Sequence, residues 1–268
     1  MIVPFLSIVI PTYNSEAFIG SALKSIISQS FTDYEILLVD GLSTDKTIEI
    51  AGDFKEGKIK IFNEKDNGVY DAMNKGVDMA QGQWFYFLGS DDRLYENSTL
   101  SQIAGHLSTT TCKVVYGNAE IVGNTGWAND TEIYDGPFNF EKLLNKNICH
   151  QSIFYNAEFI KSEIGKYNIN YSLCADWDFN LRCFAKTDFL FVDQIIAKFY
   201  GGGITTESNN DKKFSEDFLG NILKYFDLSL YNPVINTAKF NRYHEVWMMQ
   251  KRSNYLKYIL NRLKLKFS

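Results

Sequence analysis

Two adjacent carboxylates, Asp91 and Asp92, follow directly on the apolar run Trp84-Phe85-Tyr86-Phe87-Leu88 and its Gly89-Ser90 extension. A run of that length reads as a strand buried on both faces, and ligands of open α/β sheets sit where such strands end. Acids at that place suit a divalent cation, Mn2+ or Mg2+, held by one or two carboxylates together with the oxygens of a diphosphate. Such an ion stabilises a departing diphosphate as a Lewis acid. The same pair would also serve as solvated loop acids or a helix cap, and the rest of the chain decides between these. Tyr13, just past the first predicted strand, can stack on a base. Asp40, at the end of the second, can accept hydrogen bonds from a base or ribose. Asp71 and Lys75 lie four apart on one face of a predicted helix, where an exposed ion pair would contribute only ~0.2–0.5 kcal/mol.

The elements that must position these groups alternate regularly. Leu6–Ile10 is a buried strand, and Ser15 is placed to cap a helix over 16–29 with Phe18, Ile19, Ala22, Leu23, Ile26 and Ile27 as its apolar face. Tyr34–Val39 is a second strand, and Gly41–Asp45 then turns into a helix through Phe54 capped by Ser43 or Thr44. Lys58–Phe62 is the third strand, followed by a helix with Val69, Ala72, Met73, Val77 and Ala80 inward, and the Trp84 run is the fourth. This order predicts an α/β fold, a doubly wound and mostly parallel sheet with right-handed crossovers and helices on both faces. The first turn, Pro11-Thr12-Tyr13-Asn14-Ser15, is not a Gly-x-Gly-x-x-Gly pyrophosphate cradle, and no Gly-x-x-x-x-Gly-Lys-Ser/Thr loop occurs. A diphosphate therefore needs another holder. Beyond residue 95 the pattern predicts a helix at 98–107, strands at 114–118, 152–155 and 188–200, a loop at 123–139, and a helix at 176–186. Helices at 211–227 and 239–266 lie outside the sheet.

With 45% hydrophobic and 22% charged residues the chain reads as globular, not disordered. Its net charge of −5 conceals an asymmetry, since residues 239–268 carry eight Lys/Arg against one acid. A basic surface helix explains that better than a nucleic-acid-binding protein. In the tail, Leu256, Ile259, Leu260, Leu263 and Phe267 form an apolar stripe flanked by basic residues, so residues 251–268 suit an anionic membrane surface. A partner helix or self-association would produce the same stripe. Cys112, Cys149, Cys174 and Cys183 show neither finger spacing nor a disulfide framework, and are expected as free thiols. No basic leader and no apolar run near ~20 residues is present, which predicts a cytoplasmic location.

Four motifs in register carry a resemblance. Pro11-Thr12-Tyr13-Asn14, Val39-Asp40 with Ser43-Thr44-Asp45, Asn67-Gly68-Val69-Tyr70-Asp71-Ala72-Met73-Asn74-Lys75-Gly76 and Leu88-Gly89-Ser90-Asp91-Asp92 resemble the family 2 glycosyltransferases of GT-A fold, most of all those that build bacterial surface polysaccharides. The likeness is close over residues 4–100 and weaker to about 205. It implies a GT-A catalytic domain over 1–208, with a nucleotide-sugar half at 1–100 and an acceptor half at 101–208, and a helical extension at 209–268. It also implies an inverting transfer from a nucleotide-sugar, commonly a UDP-sugar, to an acceptor hydroxyl, here of a glycan or lipid-linked acceptor at the inner membrane face. By the resemblance, Pro11, Thr12, Tyr13, Asn14, Asp40, Asp71, Lys75, Ser90 and Asp91 contact the donor, and Asp91, with Asp92 beside it, binds the metal.

The segment Ala175-Asp176-Trp177-Asp178 resembles the place where the family keeps its general base, and Asp176 matches the catalytic position. Asp176 and Asp178 diverge by about 200° on a helix, so one of them at most faces a site. An N-cap role for Asp176 is the plain alternative. His150 and Gly202 are acceptor-side candidates, with a structural histidine and a flexible turn as their respective alternatives. Two positions depart from the family pattern: Gly89 stands where a leading carboxylate is usual, and Gly41 where a second acid often follows Asp40. Those departures leave room for a catalytically silent nucleotide-sugar-binding or scaffold subunit, while the α/β nucleotide site with paired acids also fits a nucleotidyltransferase.

Overall fold

The computed structural model of the protein describes residues 3–54, 57–123, 125–202 and 211–228. It divides into two compact units, Met1–Asn209 and Asn210–Ser268. The first unit opens with β1 (Leu6–Thr12), α1 (Ile19–Ile27), β2 (Tyr34–Asp40), α2 (Thr47–Asp53), β3 (Ile59–Asn63), α3 (Val69–Met79) and β4 (Trp84–Phe87). Its remaining elements are β5 (Arg93–Leu94), α4 (Thr99–Thr109), β6 (Val114–Val122), β7 (Ile133–Tyr134), α5 (Phe140–Asn145), β8 (Ile153–Asn156), α6 (Ala157–Phe159), α7 (Ala175–Phe184) and β9 (Phe189–Tyr200).

The sheet runs β3-β2-β1-β4-β8-β6-β9-β5, with β7 paired to β6. Strands β1 to β4 are mutually parallel, as the alternation predicts. The next strand, β8, is antiparallel to both β4 and β6, so the parallel order breaks there. Every residue of β1, β2 and β4 is buried, because helices cover both faces. Leu6, Ile8 and Ile10 of β1 pack in the same core as Ile19, Leu23 and Ile26 of α1. On α3, a Cβ at Gly76 would collide with the Val9 side chain, so glycine there lets the helix lie directly on the sheet.

Several local expectations are corrected. Phe18 is 52% exposed, since α1 begins one residue later and leaves it in the preceding turn. Ser15 does not cap α1 through its hydroxyl, which meets Ser90 Oγ at 2.8 Å and Tyr13 O at 3.2 Å. Neither Ser43 nor Thr44 caps α2; Asp45 holds its start by accepting from Thr47 N at 2.9 Å. Strand β6 extends to Val122, and the loop predicted over 123–139 contains β7. The four cysteines are free. Of the helix expected at 211–227, residues 212–225 are helical, as α8 (Lys212–Tyr225), capped by Asp211, whose Oδ1 accepts from Phe214 N at 3.0 Å. The basic stretch 239–268 lies outside the described residues. Among the described residues no helix is long and apolar enough to cross a membrane.

Candidate active site

The carboxyl ends of β1, β2 and β4 come together because these three strands are neighbours in parallel register, with Thr12 opposite Asp40. The loops after β1 and β2 lock into one another. Asn14, at φ 47°, accepts from Thr44 N through Oδ1 at 2.9 Å, and its own N–H donates to Ser43 Oγ at 2.8 Å. Asp40 is fully buried and accepts from Ser43 N at 2.8 Å and Ser43 Oγ at 2.5 Å. Several motif residues thus shape the loops themselves. What remains open toward a ligand is Tyr13, 61% exposed, and Thr12, whose buried Oγ1 has no hydrogen-bond partner. A bare buried hydroxyl costs about 1–3 kcal/mol, a cost that a bound polar ligand would remove.

Asp71 and Lys75 do not pair. Asp71 accepts from Asn67 N at 2.9 Å, while Lys75 reaches Lys65 O at 2.5 Å and Glu64 at 3.3 Å. Both therefore fasten the loop entering α3. Gly68, at φ 109°, opens the helix beside a cavity of about 200 Å³ lined by Asn67–Asp71 and by Ile169, Tyr171 and Ser172.

The acid pair after β4 divides into two roles. Asp92 is 1% exposed, and both oxygens are bonded: Oδ2 accepts from Gln151 Nε2 at 2.7 Å and Oδ1 from Tyr200 N at 2.9 Å. Burial, then the neighbouring Asp91 charge, hold its carboxyl well above the usual range. Asp92, expected beside Asp91 as a second metal ligand, ties β4 to the end of β9 and to Gln151. Asp91 receives no side-chain hydrogen bond or ion pair from another described residue, and burial pushes its carboxyl up. An unpartnered, partly desolvated carboxylate beside a second acid fits a divalent cation. The described residues contain no group of three or more His, Cys, Asp or Glu able to cage one, so the remaining ligands would be phosphate oxygens and water.

Gly89 and Gly41 acquire spatial reasons. A Cβ at Gly89 would overlap Asp92 Oδ2 and stand 2.8 Å from Asp91 Oδ1, so the acid pair occupies the room a side chain would need. A Cβ at Gly41 would lie 2.5 Å from Asp66 Oδ2. The carboxylate of Asp66, which also accepts from Gly68 N at 2.9 Å, therefore fills the place beside Asp40.

Asp176 lies in the first turn of α7, whose cap position is Cys174, so it is not the N-cap. Its Oδ1 accepts from Tyr70 Oη at 2.9 Å and its Oδ2 from Asn147 Nδ2 at 2.9 Å. Burial raises its carboxyl to about 6, and these two bonds with backbone N–H groups of the turn oppose the rise. Asp178 points elsewhere: it is 1% exposed and accepts from Arg182 Nε at 2.9 Å. That arginine also donates to Ile164 O and Lys166 O, at 2.7 and 2.8 Å. His150 is 7% exposed, packed among Phe87, Tyr155 and Tyr167, and burial lowers it to about 3, so it is neutral there. Gly202, exposed at φ 111°, follows β9.

Sequence reasoning missed Tyr70, Asn147, Gln151 and Asp66 as working residues. Asn147 and Gln151 belong to one five-residue stretch, and it bonds both the candidate base and the acid pair. Two amides flanking His150 between the donor motifs and Asp176 were the available signal.

The profile described as Glycosyl transferase family 2 matches residues 7–160, more than half of the chain, and the chain belongs to that family. The PGL/p-HBAD biosynthesis glycosyltransferase of Mycobacterium bovis (strain BCG / Pasteur 1173P2) is 40% identical over 221 residues, covering 80% of this chain and 84% of that protein. The UDP-Glc:alpha-D-GlcNAc-diphosphoundecaprenol beta-1,3-glucosyltransferase WfgD of Escherichia coli is 33% identical over 161 residues, 60% of this chain and 57% of its own. Among solved structures, S. aureus TarS 1-349 in complex with UDP-GlcNAc superposes with a TM-score of 0.65 at 20% identity, covering 90% of this chain and 70% of that one. The mannosyltransferase PcManGT from Pyrobaculum calidifontis, in complex with GDP-Man and Mn2+, gives 0.61 at 14% identity, with 91% and 70% covered. The fold is therefore GT-A, and the protein is a family 2 glycosyltransferase related to transferases of polysaccharide biosynthesis. The nucleotidyltransferase alternative falls with that membership.

Proposed function

We propose that the protein transfers one sugar, with inversion, from a UDP-sugar to a hydroxyl of a lipid-linked glycan, and that Asp176 is the general base. The observation that carries this is the placement of Asp176: a half-buried carboxylate with each oxygen held by a donor and its ionisation raised to about 6. A base with that value is mostly ionised at neutral pH yet able to take a proton. In a single displacement the acceptor oxygen attacks the anomeric carbon, its proton passes to Asp176, and the bond to the diphosphate breaks with its electrons leaving on the nucleotide.

On the donor side, Tyr13 stacks on the base. The Thr12 hydroxyl and the Asp66 carboxylate receive the nucleoside, Asp66 standing in for the acid absent at Gly41 and buried Asp40 holding the loop behind it. Asp91 would hold Mn2+ or Mg2+, which would supply a Lewis acid against the charge developing on the diphosphate. Residues 251–268, by their basic and apolar sequence, rest on the anionic membrane surface that presents the acceptor. The UDP-sugar and lipid-linked parts of the reading are supported by what the E. coli relative is named for.

The test is transfer from a panel of UDP-sugars, with Mn2+ or Mg2+, to undecaprenyl-diphosphate-linked sugars, the product read by NMR. The proposal expects one donor to stand out and the anomeric configuration to invert; a product of retained configuration, or no donor used across the panel, overturns it.

A further inference from the structure

The side chain that links the donor-binding half of the chain to Asp176 is Tyr70, in the first turn of α3. It is 8% exposed, and its hydroxyl oxygen lies 2.8 Å from Leu173 O and 2.9 Å from Asp176 Oδ1. One turn further on, Asn74 clasps the backbone of Tyr167, donating to its carbonyl at 3.0 Å and accepting from its N–H at 2.8 Å. The Tyr70 and Tyr167 rings also stack, 5.8 Å between centroids. Helix α3 thereby grips the 167–176 segment at two levels, with the candidate base at its end.

We propose that Tyr70 is a positioning residue for the transfer step, holding the Asp176 carboxylate at its working angle and in its ionised form from the helix that borders the donor site. The proposal rests on Asp176 being the base. A tyrosine hydroxyl has one proton and can also accept. While Asp176 is ionised, that proton points to Oδ1, a charge-assisted bond about twice as strong as a neutral one. When Asp176 takes the acceptor's proton, the new carboxylic O–H donates to the Tyr70 oxygen and the Tyr70 O–H turns to Leu173 O. Neither state leaves the buried oxygens bare, and the charged state is favoured.

On the other side Asn147 can only donate through Nδ2, and its orientation is fixed. Its Oδ1 accepts from Asn180 Nδ2 at 2.8 Å, whose Oδ1 in turn accepts from Tyr155 Oη at 2.7 Å. The other ionisable groups that feel the Asp176 charge are Tyr134, Cys149, Tyr155 and Tyr167, all raised by burial and hence neutral. Cys174 adjoins Tyr70, whose own phenol burial also holds well above its ordinary value. Asp178 is paired with Arg182. Burial also raises the carboxyls of Asp91 and Asp92, so the displacement of the acidic limb by changes at Tyr70 or Asn147, not its position, reports Asp176.

The experiment measures kcat against pH, with donor affinity by calorimetry, for the wild-type protein, Y70F, N147A and D176N. For Y70F we expect donor Kd within about threefold of wild type and the acidic limb displaced upward by about one pH unit. At pH 6.5 its kcat should fall about threefold and recover at pH 8.5; N147A should displace the limb in the same direction. A Y70F limb coincident with wild type, while D176N is inactive, overturns the role of Tyr70 and leaves the base in place. Turnover retained by D176N overturns both. If Y70F does not fold, 3-fluorotyrosine at position 70, a stronger donor, should move the limb downward, and an unmoved limb there refutes the proposal equally.

Discussion

Replacing Gly89 with alanine adds a single methyl group at the most crowded point of the acid pair. The added Cβ overlaps Asp92 Oδ2 and stands 3.2 Å from Asp92 Cγ, and this carboxylate is held in place by Gln151 Nε2 and Tyr200 N. Overpacking of this kind costs about 1–3 kcal/mol. The oxygen displaced is the one that accepts from Gln151 Nε2 at 2.7 Å, and a buried donor left unpaired costs about 1–3 kcal/mol. Since the two effects overlap, a loss of about 2–4 kcal/mol is expected for G89A, and more for G89D, which crowds a third carboxyl group into the same space. In a chain of this size that lowers Tm by roughly 4–16 °C. The control is G105A: Gly105 lies in α4 with nothing within 4 Å of its Cβ position, so alanine should raise stability by about 0.5–1 kcal/mol. Thermal melts read stability, and calorimetry with UDP and Mn2+ reads the site. A G89A protein as stable and as competent in metal-dependent UDP binding as wild type would refute the explanation for the absent carboxylate, and G89D binding metal more tightly would do so more sharply.

Three further outcomes follow from the site. Saturating Mn2+ with UDP, at about one hundred times Kd, should raise Tm by about 5–10 °C, and D91N should abolish the metal-dependent part; a D91N shift equal to wild type would remove Asp91 as ligand. D66N keeps an acceptor for Gly68 N but loses the charge beside Asp40, so UDP affinity should weaken about tenfold with Tm nearly unchanged, and unaltered affinity would discard its nucleoside role. Removing residues 251–268 should release the protein from vesicles containing anionic lipid in a flotation assay, and binding that survives the truncation would count against the membrane role of the tail.

The four parallel strands were legible because each is an apolar run too short for a helix, bounded by polar turns, with one-faced helices between. The antiparallel insertion of β8 between β4 and β6 was not, since a four-residue strand carries no record of its neighbour or direction. Strands β5 and β7, two residues each, fall below any periodic signal. Single site residues could be read as motif members, but their tasks are set by partners far along the chain. Asp92 meets Gln151 and Tyr200, and Asp176 meets Tyr70 from 106 positions away. Cap assignments failed for a related reason: Ser15 and Ser43, good local caps, are used between loops instead.

Removal of the acceptor proton by Asp176 is a matter of rate, not of donor binding. The most direct measurement compares D176N with wild type at pH 7.5, reading donor Kd by calorimetry and transfer rate by product formation on the same preparations. For D176N, donor affinity within about threefold of wild type and a transfer rate lower by roughly 10²–10⁴-fold, the usual contribution of a general base, are expected. Transfer at the wild-type rate would contradict that role.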